Sequence, residues 1–395
     1  MPRLLRPVAL EELAVGQALE LVRTALDGSG DALLPVPPDA PGRAALGALG
    51  PGTALGPMED DEADPTALVL ATSGSTGTPK GALLSASALT ASAAATLARL
   101  GGPATWLLAL APHHVAGVQV LVRSSLAGTT PEVLDRSNGF SPNGFVLATE
   151  RLRLRAPGRR YTALVPTQLV RLLDAGPVAV AALTSYDAVL VGAAATPEPL
   201  LARAHEAGIR VVTSYGMSET CGGCVYDGLA LDGARVDLDD AGRVLLGGAV
   251  IARGYRSRPH SPEFFEREGR RWFRTDDLGE LVDGRLRVTG RADDVIVSGG
   301  LKISPAAVEA VIAAMPGVRE VVVVGVPDDD WGQSVVAVVV TGDEAPGLQQ
   351  VRDVVQRELG SAAAPRRLVV VDQLPLRGPG KPDRRAAAAL ASAAR

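Results

Sequence analysis

Residues 72–81 read Thr72-Ser73-Gly74-Ser75-Thr76-Gly77-Thr78-Pro79-Lys80-Gly81, a stretch in which three glycines and five hydroxyl side chains accompany one lysine. Glycine lets backbone N–H groups turn toward a common point, hydroxyls add donors, and Lys80 adds a cation, which together make a lining for phosphate. The apolar run at 67–71 before it has the composition of a strand, and the Ala- and Leu-rich segment after Ser85 that of a helix. The predicted order is strand, glycine loop, helix. A Walker A loop requires G-x-x-x-x-G-K-[ST], with a hydroxyl after the lysine to meet magnesium. Here Pro79 precedes Lys80 and Gly81 follows it, so the P-loop NTPases and kinases are excluded.

Outward from this loop the pattern is regular. Short apolar runs at 106–111, 161–165, 188–191 and 210–214 alternate with helical stretches, as in parallel α/β architecture. From about Val236 the chain changes to short strands and turns, with Asp283-Gly284 a predicted hairpin turn. A compact region follows Arg291: a helix with Ser304 as cap and Pro305 in its first position, the strands VVVVGV and VVAVVV, a helix near 348–359, and the strand RLVVVD. The fold class expected is α/β, with a large N-terminal domain of parallel α/β layers and a β-rich subdomain, and a small mobile α+β C-terminal domain. The boundaries expected are 1–290, a hinge at 291–294, and 295–395. Residues 1–65 carry one helical pattern, Leu19, Val22 and Leu26, then Pro/Gly-rich turns and the acidic run 59–62, and read as a loosely built lead-in.

Composition narrows the function. The chain has 395 residues, 47% hydrophobic and 21% charged, with a net charge of −5 and no concentrated basic stretch, which argues against nucleic acid as a partner. No apolar run of bilayer length and no secretory leader stand out, so a cytoplasmic location without stable membrane insertion is expected. Cys221 and Cys224 are too few for a disulfide framework or a structural zinc site and read as small loop residues. Of 39 basic residues only Lys80, Lys302 and Lys381 are lysine. A position that keeps Lys in an arginine-rich chain points to a compact, mobile ammonium. Lys381 follows Gly-Pro-Gly, and Lys302 follows Ser298-Gly299-Gly300.

In order along the chain stand PHHVAG (112–117), GAAATP (192–197), YGMSET (215–220), TDDLG (275–279), GRADDVIVSGGLKISP (290–305) and LPLRGPGKPDR (374–384). With TSGSTGTPKG, these segments resemble the adenylate-forming superfamily of acyl-CoA synthetases, adenylation domains and luciferases over about residues 67–384. The resemblance implies ATP, Mg2+ and coenzyme A as cofactors and an acyl-adenylate as intermediate. It implies that Thr72, Ser73, Gly74, Ser75, Thr76, Gly77, Thr78 and Lys80 hold phosphate, that Ala193 and Ala194 lie against adenine, and that Ser214, Tyr215, Gly216, Met217 and Ser218 line the nucleotide. Glu219, with Thr76, would hold the metal. Asp277 would accept the ribose hydroxyls, Arg291 would stand beside it, Asp293 would be the hinge acid, and Lys381 would be the catalytic cation. His114 would border the acyl substrate, and Gly299, Gly300 and Lys302 would admit coenzyme A. One departure is Asp276, where the family commonly has Gly.

The segments VPTQLVRLLD (165–174) and SYGMSETCGGCVYDGLALDG (214–233) are most similar to the o-succinylbenzoate CoA ligases of menaquinone biosynthesis. That substrate is a dicarboxylate, whose non-reacting carboxylate needs donors such as Thr167, Gln168 or Arg171. The expected activity is therefore an AMP-forming acid–thiol ligase for an aromatic acid. The alternatives are a ligase for another aromatic or medium-chain acid, a carrier-loading adenylation domain, and a non-catalytic nucleotide-binding relative. Only 71 residues precede the loop, fewer than is usual in the superfamily, so an abbreviated first subdomain is expected. A homodimer is left open.

Overall fold

The computed structural model of the protein describes residues 2–72, 79–258, 260–342, 344–378 and 381–393. The first 65 residues are not a loose lead-in. They supply β1 (Leu5–Val8), α1 (Val15–Leu26), β2 (Ala32–Pro35) and the short α2 (Ala40–Ala45). β1 and β2 pair in parallel, and Leu33 of β2 registers with Leu68 of β3 (Thr66–Thr72). Leu5, Leu34, Leu49, Leu55, Val69 and Leu83 form one buried cluster beneath this sheet. Strands of four residues are too short to show a period, which is why the sequence hides them.

A second correction concerns the glycine loop. The chain leaving it is a strand, β4 (Lys80–Ser85), antiparallel to β3 with Thr72 opposite Lys80, so the order is strand, loop, strand, helix. Gly81 sits where a Cβ would come within 2.8 Å of the Val69 side chain. The helix α3 (Ala86–Leu100) starts where expected, with Ser85 Oγ accepting from Ala88 N at 3.3 Å.

The predicted parallel layer is present. β5 (Thr105–Leu108), α4 (Val115–Ala127), β6 (Glu132–Val133), α5 (Pro142–Arg155), β7 (Arg160–Leu164), α6 (Pro166–Asp174), α7 (Pro177–Thr184), β8 (Ala188–Gly192), α8 (Glu198–Glu206) and β9 (Val211–Met217) alternate along the chain. The strands β5, β6, β7, β8 and β9 are parallel neighbours. β10 (Gly222–Tyr226) and β11 (Leu229–Ala230) extend the edge antiparallel, giving the order β11-β10-β9-β8-β7-β5-β6. Trp106, Tyr161 and Leu190 are buried in it.

The β-rich stretch holds β12 (Ala234–Leu238), β13 (Arg243–Gly248), β14 (Gly254–Tyr255), β15 (Phe264–Arg267), β16 (Arg270–Val282) and β17 (Arg285–Arg291). β14 returns to the first sheet, with Tyr255 opposite Ala82 of β4. The β16–β17 turn is Asp283-Gly284, as predicted, with φ of +51° and +74°.

After it come β18 (Ile296–Ser298), β19 (Leu301–Ile303), α9 (Pro305–Ala313), β20 (Val318–Asp328), β21 (Gly332–Thr341), α10 (Leu348–Leu359), β22 (Arg367–Val370), β23 (Leu376–Arg377), β24 (Lys381–Pro382) and α11 (Arg384–Ala393). One face of the β20–β21 ladder buries Val323, Val335 and Val339 against α9 and α10, and the other buries Val324 and Val336 against Ala387 and Ala391 of α11. This alternation is the period-2 consequence of the two valine runs.

The chain divides into two compact units, Met1–Ala193 with Ala204–Asp237 and Leu245–Thr275, and Ala194–Arg203 with Leu238–Val244 and Asp276–Arg395. The second thus takes over within β16, upstream of 291–294. Among the described residues no helix is long and apolar enough to cross a membrane.

Candidate active site

In the first unit the residues gather around Lys80. Its Nζ donates to Glu263 Oε1 at 2.9 Å and lies 4.8 Å from the centre of the Tyr255 ring. Tyr255 Oη in turn donates to Glu219 Oε1 at 2.7 Å. The antiparallel register of β4 and β14 is what brings Tyr255 to the Lys80 end of its strand. Burial pushes the Glu263 carboxyl up, but the hydrogen bond and charge of Lys80 outweigh it and hold it below the usual carboxylate range. Lys80 thus stands between Glu263 and Tyr255, and Tyr255 reaches on to Glu219; neither Tyr255 nor Glu263 carries a local sequence signal. Glu263 is 183 residues from Lys80.

Glu219 is buried and sits on a one-turn 3-10 helix, Ser218–Thr220, that closes β9. Thr220 Oγ1 accepts from Met217 N at 2.9 Å and donates to Gly222 O at 2.7 Å, so the turn is tied to itself. Cys221 leaves it in the left-handed region at φ +53°, and its carbonyl accepts from Ser92 Oγ of α3 at 3.0 Å and Gln119 Nε2 of α4 at 2.6 Å. The loop carrying Glu219 is therefore held by two helices. Cys221 and Cys224 are buried free thiols, and burial raises both, Cys224 to about 12.

Ser214, Tyr215, Gly216 and Met217 all lie on β9. Gly216 is required because a Cβ there would stand 2.1 Å from Gly222 O. Ala193 follows β8 in the left-handed region at φ +68°, a strained turn for a residue with a side chain. His114 precedes the first residue of α4, its ring 4.3 Å from that of His113. His113 Nδ1 is 3.3 Å from Glu11 Oε1, and Arg136 Nη2 donates to Glu11 Oε2 at 2.6 Å. On α6, Arg171 is exposed one turn beyond the half-buried Thr167. Gln168 is buried, its Oε1 accepting from Val165 N at 3.0 Å, so its carbonyl serves the start of the helix.

In the second unit Asp277 and Arg291 face each other across β16 and β17. Arg291 Nη1 donates to Asp277 Oδ1 at 3.1 Å, while Nε and Nη2 fork onto the two oxygens of Asp293 at 2.8 and 2.9 Å. The hydrogen bonds to Asp293 raise the Arg291 pKa. Asp276 accepts from Arg243 Nη1 at 3.3 Å and keeps a negative φ, so its position needs no glycine. Gly299 and Gly300, at φ +57° and +80°, form the two-residue turn between β18 and β19, and Lys302 is exposed on β19. Lys381 opens β24 and is exposed, opposite Arg377 of β23. Ser73, Gly74, Ser75, Thr76, Gly77 and Thr78 lie outside the described residues, and Ala194 falls to the second unit.

The first unit thus brings Lys80, Tyr255 and the buried Glu219 together, and the second pairs Asp277 with Arg291 on a β-hairpin. The chain belongs to the AMP-binding enzyme family: residues 12–255 match that family and residues 307–381 match the AMP-binding enzyme C-terminal domain. Within it, the chain is 49% identical over 378 residues to a probable 2-succinylbenzoate–CoA ligase of Mycobacterium tuberculosis, a match covering 94% of each. It is 32% identical over 349 residues to a medium/long-chain-fatty-acid–CoA ligase of the same species, covering 80% of this chain and 59% of that one. Among solved structures, the Bacillus subtilis o-succinylbenzoate CoA synthetase in complex with the acyl-adenylate intermediate superposes with a TM-score of 0.69 at 25% identity, over 96% of this chain and 82% of that one.

Proposed function

We propose that the protein joins 2-succinylbenzoate (o-succinylbenzoate) to coenzyme A at the expense of ATP, through an acyl-adenylate, as a step of menaquinone biosynthesis. The observation that carries this reading is the 49% identity to the M. tuberculosis ligase over 94% of both chains.

The chemistry has two displacements. A carboxylate oxygen attacks the α-phosphorus of ATP and pyrophosphate leaves; the thiol of coenzyme A then attacks the acyl carbon and AMP leaves. In the first step negative charge builds around the α-phosphorus, and a preplaced cation lowers that barrier more than it stabilises the ground state. Lys381 supplies the cation, and Lys80 with the loop at 72–78 holds the outer phosphates. Asp277 offers two acceptor oxygens for the ribose hydroxyls, its orientation set by Arg291. Thr167 and Arg171 hold the carboxylate that does not react. Gly299 and Gly300, without side chains, let the pantetheine thiol approach the backbone, with Lys302 beside them.

Magnesium bound to the ATP phosphates would be held on the protein side by Glu219, where it would neutralise phosphate charge. Among the described residues no group of three His, Cys, Asp or Glu side chains could hold a metal alone. Glu219 contributes a single buried carboxylate, braced by Tyr255, and one carboxylate plus phosphate and water oxygens is how magnesium is commonly held. Asp293 is the hinge about which residues 295–395 turn between the two steps.

The test is a screen of CoA-dependent AMP release with 2-succinylbenzoate, benzoate, 4-hydroxybenzoate and octanoate. The highest kcat/KM is expected for 2-succinylbenzoate. Preference for octanoate would favour the fatty-acid reading that the second relative represents, leaving the ligase class intact.

A further inference from the structure

The Lys381 hairpin is slight. Its ladder pairs only Leu376 with Pro382 and Arg377 with Lys381, and it forms a two-stranded sheet of its own. So short a ribbon has little stability by itself. Its base is better anchored. Asp383 N donates to Pro375 O at 2.8 Å, and Asp383 Oδ1 accepts from Arg385 N at 3.0 Å and Ala386 N at 3.1 Å, capping α11.

Arg384 is the first residue of that helix, where a cation meets the positive end of the helix dipole. Acids from two other segments hold it there. Its Nε lies 3.0 Å from Asp294 Oδ2; Nη1 donates to Glu309 Oε1 at 2.5 Å and to Val323 O at 2.7 Å; Nη2 donates to Glu309 Oε2 at 3.0 Å. Glu309, on α9, is itself fixed by Val323 N at 2.8 Å. Two consecutive acids are therefore held by arginines of two different elements. Asp293 is forked by Arg291 of β17, and Asp294 is held by Arg384 of α11.

We infer that Arg384 is the positioning residue of the Lys381 hairpin, tying Asp294, the first residue past the pivot, to the hairpin's base. This rests on the proposal that Lys381 is the adenylation cation and Asp293 the hinge. A turn at Asp293 reaches Lys381 as a defined displacement only if the next residue is rigid with the body that moves. The guanidinium makes four contacts, to Asp294, Glu309 and the Val323 carbonyl, from three nitrogens fixed in one plane, and a lysine has three donors on a single nitrogen. The Gly299–Gly300 hairpin hangs on other bonds, Val297 N to Gln333 Oε1 at 2.8 Å and Gly299 N to Trp331 O at 2.9 Å. Loss of Arg384 is therefore felt where Lys381 acts and not where coenzyme A enters.

The experiment uses the full chain as Arg384→Ala, Arg384→Lys and Lys381→Ala. ATP–pyrophosphate exchange is measured with the preferred acid of the substrate screen, and CoA-dependent AMP release with the pre-formed acyl-adenylate. Both Arg384 variants are expected to lose exchange by about 100-fold, the scale of a misplaced catalytic group. Thiol transfer stays unchanged, and millimolar guanidinium restores exchange to Arg384→Ala. A parallel fall of both half-reactions would mark a structural staple and overturn the inference, as would normal exchange in both variants. Normal exchange in Lys381→Ala would locate the failure in the reading of Lys381 and remove the inference with it.

Discussion

Tyr255 links Lys80 to the buried Glu219, whose carboxylate accepts from its hydroxyl. Tyr255→Phe removes one hydrogen bond from a buried carboxylate at a cost of about 1–3 kcal/mol, roughly 5- to 150-fold in an equilibrium constant. A magnesium titration of pyrophosphate exchange is expected to move to higher concentration by about that factor; an unmoved titration would remove Glu219 from the metal. The two thiols lead to a different expectation. Buried and held protonated, Cys221 and Cys224 should resist a thiol reagent in the native protein and react only on unfolding. At Asp293, burial raises the pKa but the fork of Arg291 outweighs it, leaving the carboxyl below its ordinary 3.8. The native state then binds that proton more weakly than the unfolded chain. Its contribution to stability is complete above the ordinary value and is lost as pH falls through and below it. Asp293→Asn should lower stability most at neutral pH, where that contribution is complete, and flatten the acid limb of a stability–pH curve below about pH 5, where the native chain loses it anyway.

At the scale of elements, the β18–β19 hairpin is specified by its glycines. Both turn residues need positive φ, and a Cβ on Gly299 would lie 2.6 Å from the Trp331 ring. Gly299→Ala combines backbone strain of about 1 kcal/mol or more with displacement of that ring. The expected result is slowed thiol transfer with pyrophosphate exchange retained, read by the same two half-reaction assays. The glycine pair is legible in the sequence because left-handed turns leave a local mark. β4 is not, since its apolar residues blend into the Ala-rich helix that follows, and only pairing with β3 makes them a strand. The alternating segments of the parallel sheet are long and regular enough to be read directly.

At the scale of the whole molecule, a buried ion pair ties the acidic end of the first 65 residues to the segment beside β14. Arg256 reaches from beside β14 to Glu59, while its Nη2 donates to Thr53 Oγ1 at 2.7 Å and Ala54 O at 3.0 Å. Glu59 also accepts from Gly56 N and Ser257 N at 2.8 and 2.7 Å. Arg256→Met would leave that carboxylate buried and unpaired, for which a loss of about 3–5 kcal/mol is expected in urea unfolding. A loss below about 1 kcal/mol would mean that the pair is no brace.

The sequence by itself determined the family, the α/β class, the alternation of the parallel layer and the order of the nucleotide segments, because each is written in neighbouring residues: a loop's glycines, a strand's period, a cap three residues from its amide. Tertiary structure alone decided that Lys80 meets Glu263 and Tyr255, that Glu59 is buried on Arg256, and that Arg384 joins Asp294 to Glu309. Those partners are 183, 197 and 75 residues apart in the pairs Lys80–Glu263, Glu59–Arg256 and Glu309–Arg384. An ionised side chain carries no mark of which distant opposite charge the packing of sheets will set beside it. The glycine-rich stretch at 72–81 names its chemistry locally, and the fold supplies the partners of its described lysine, Glu263 and Tyr255.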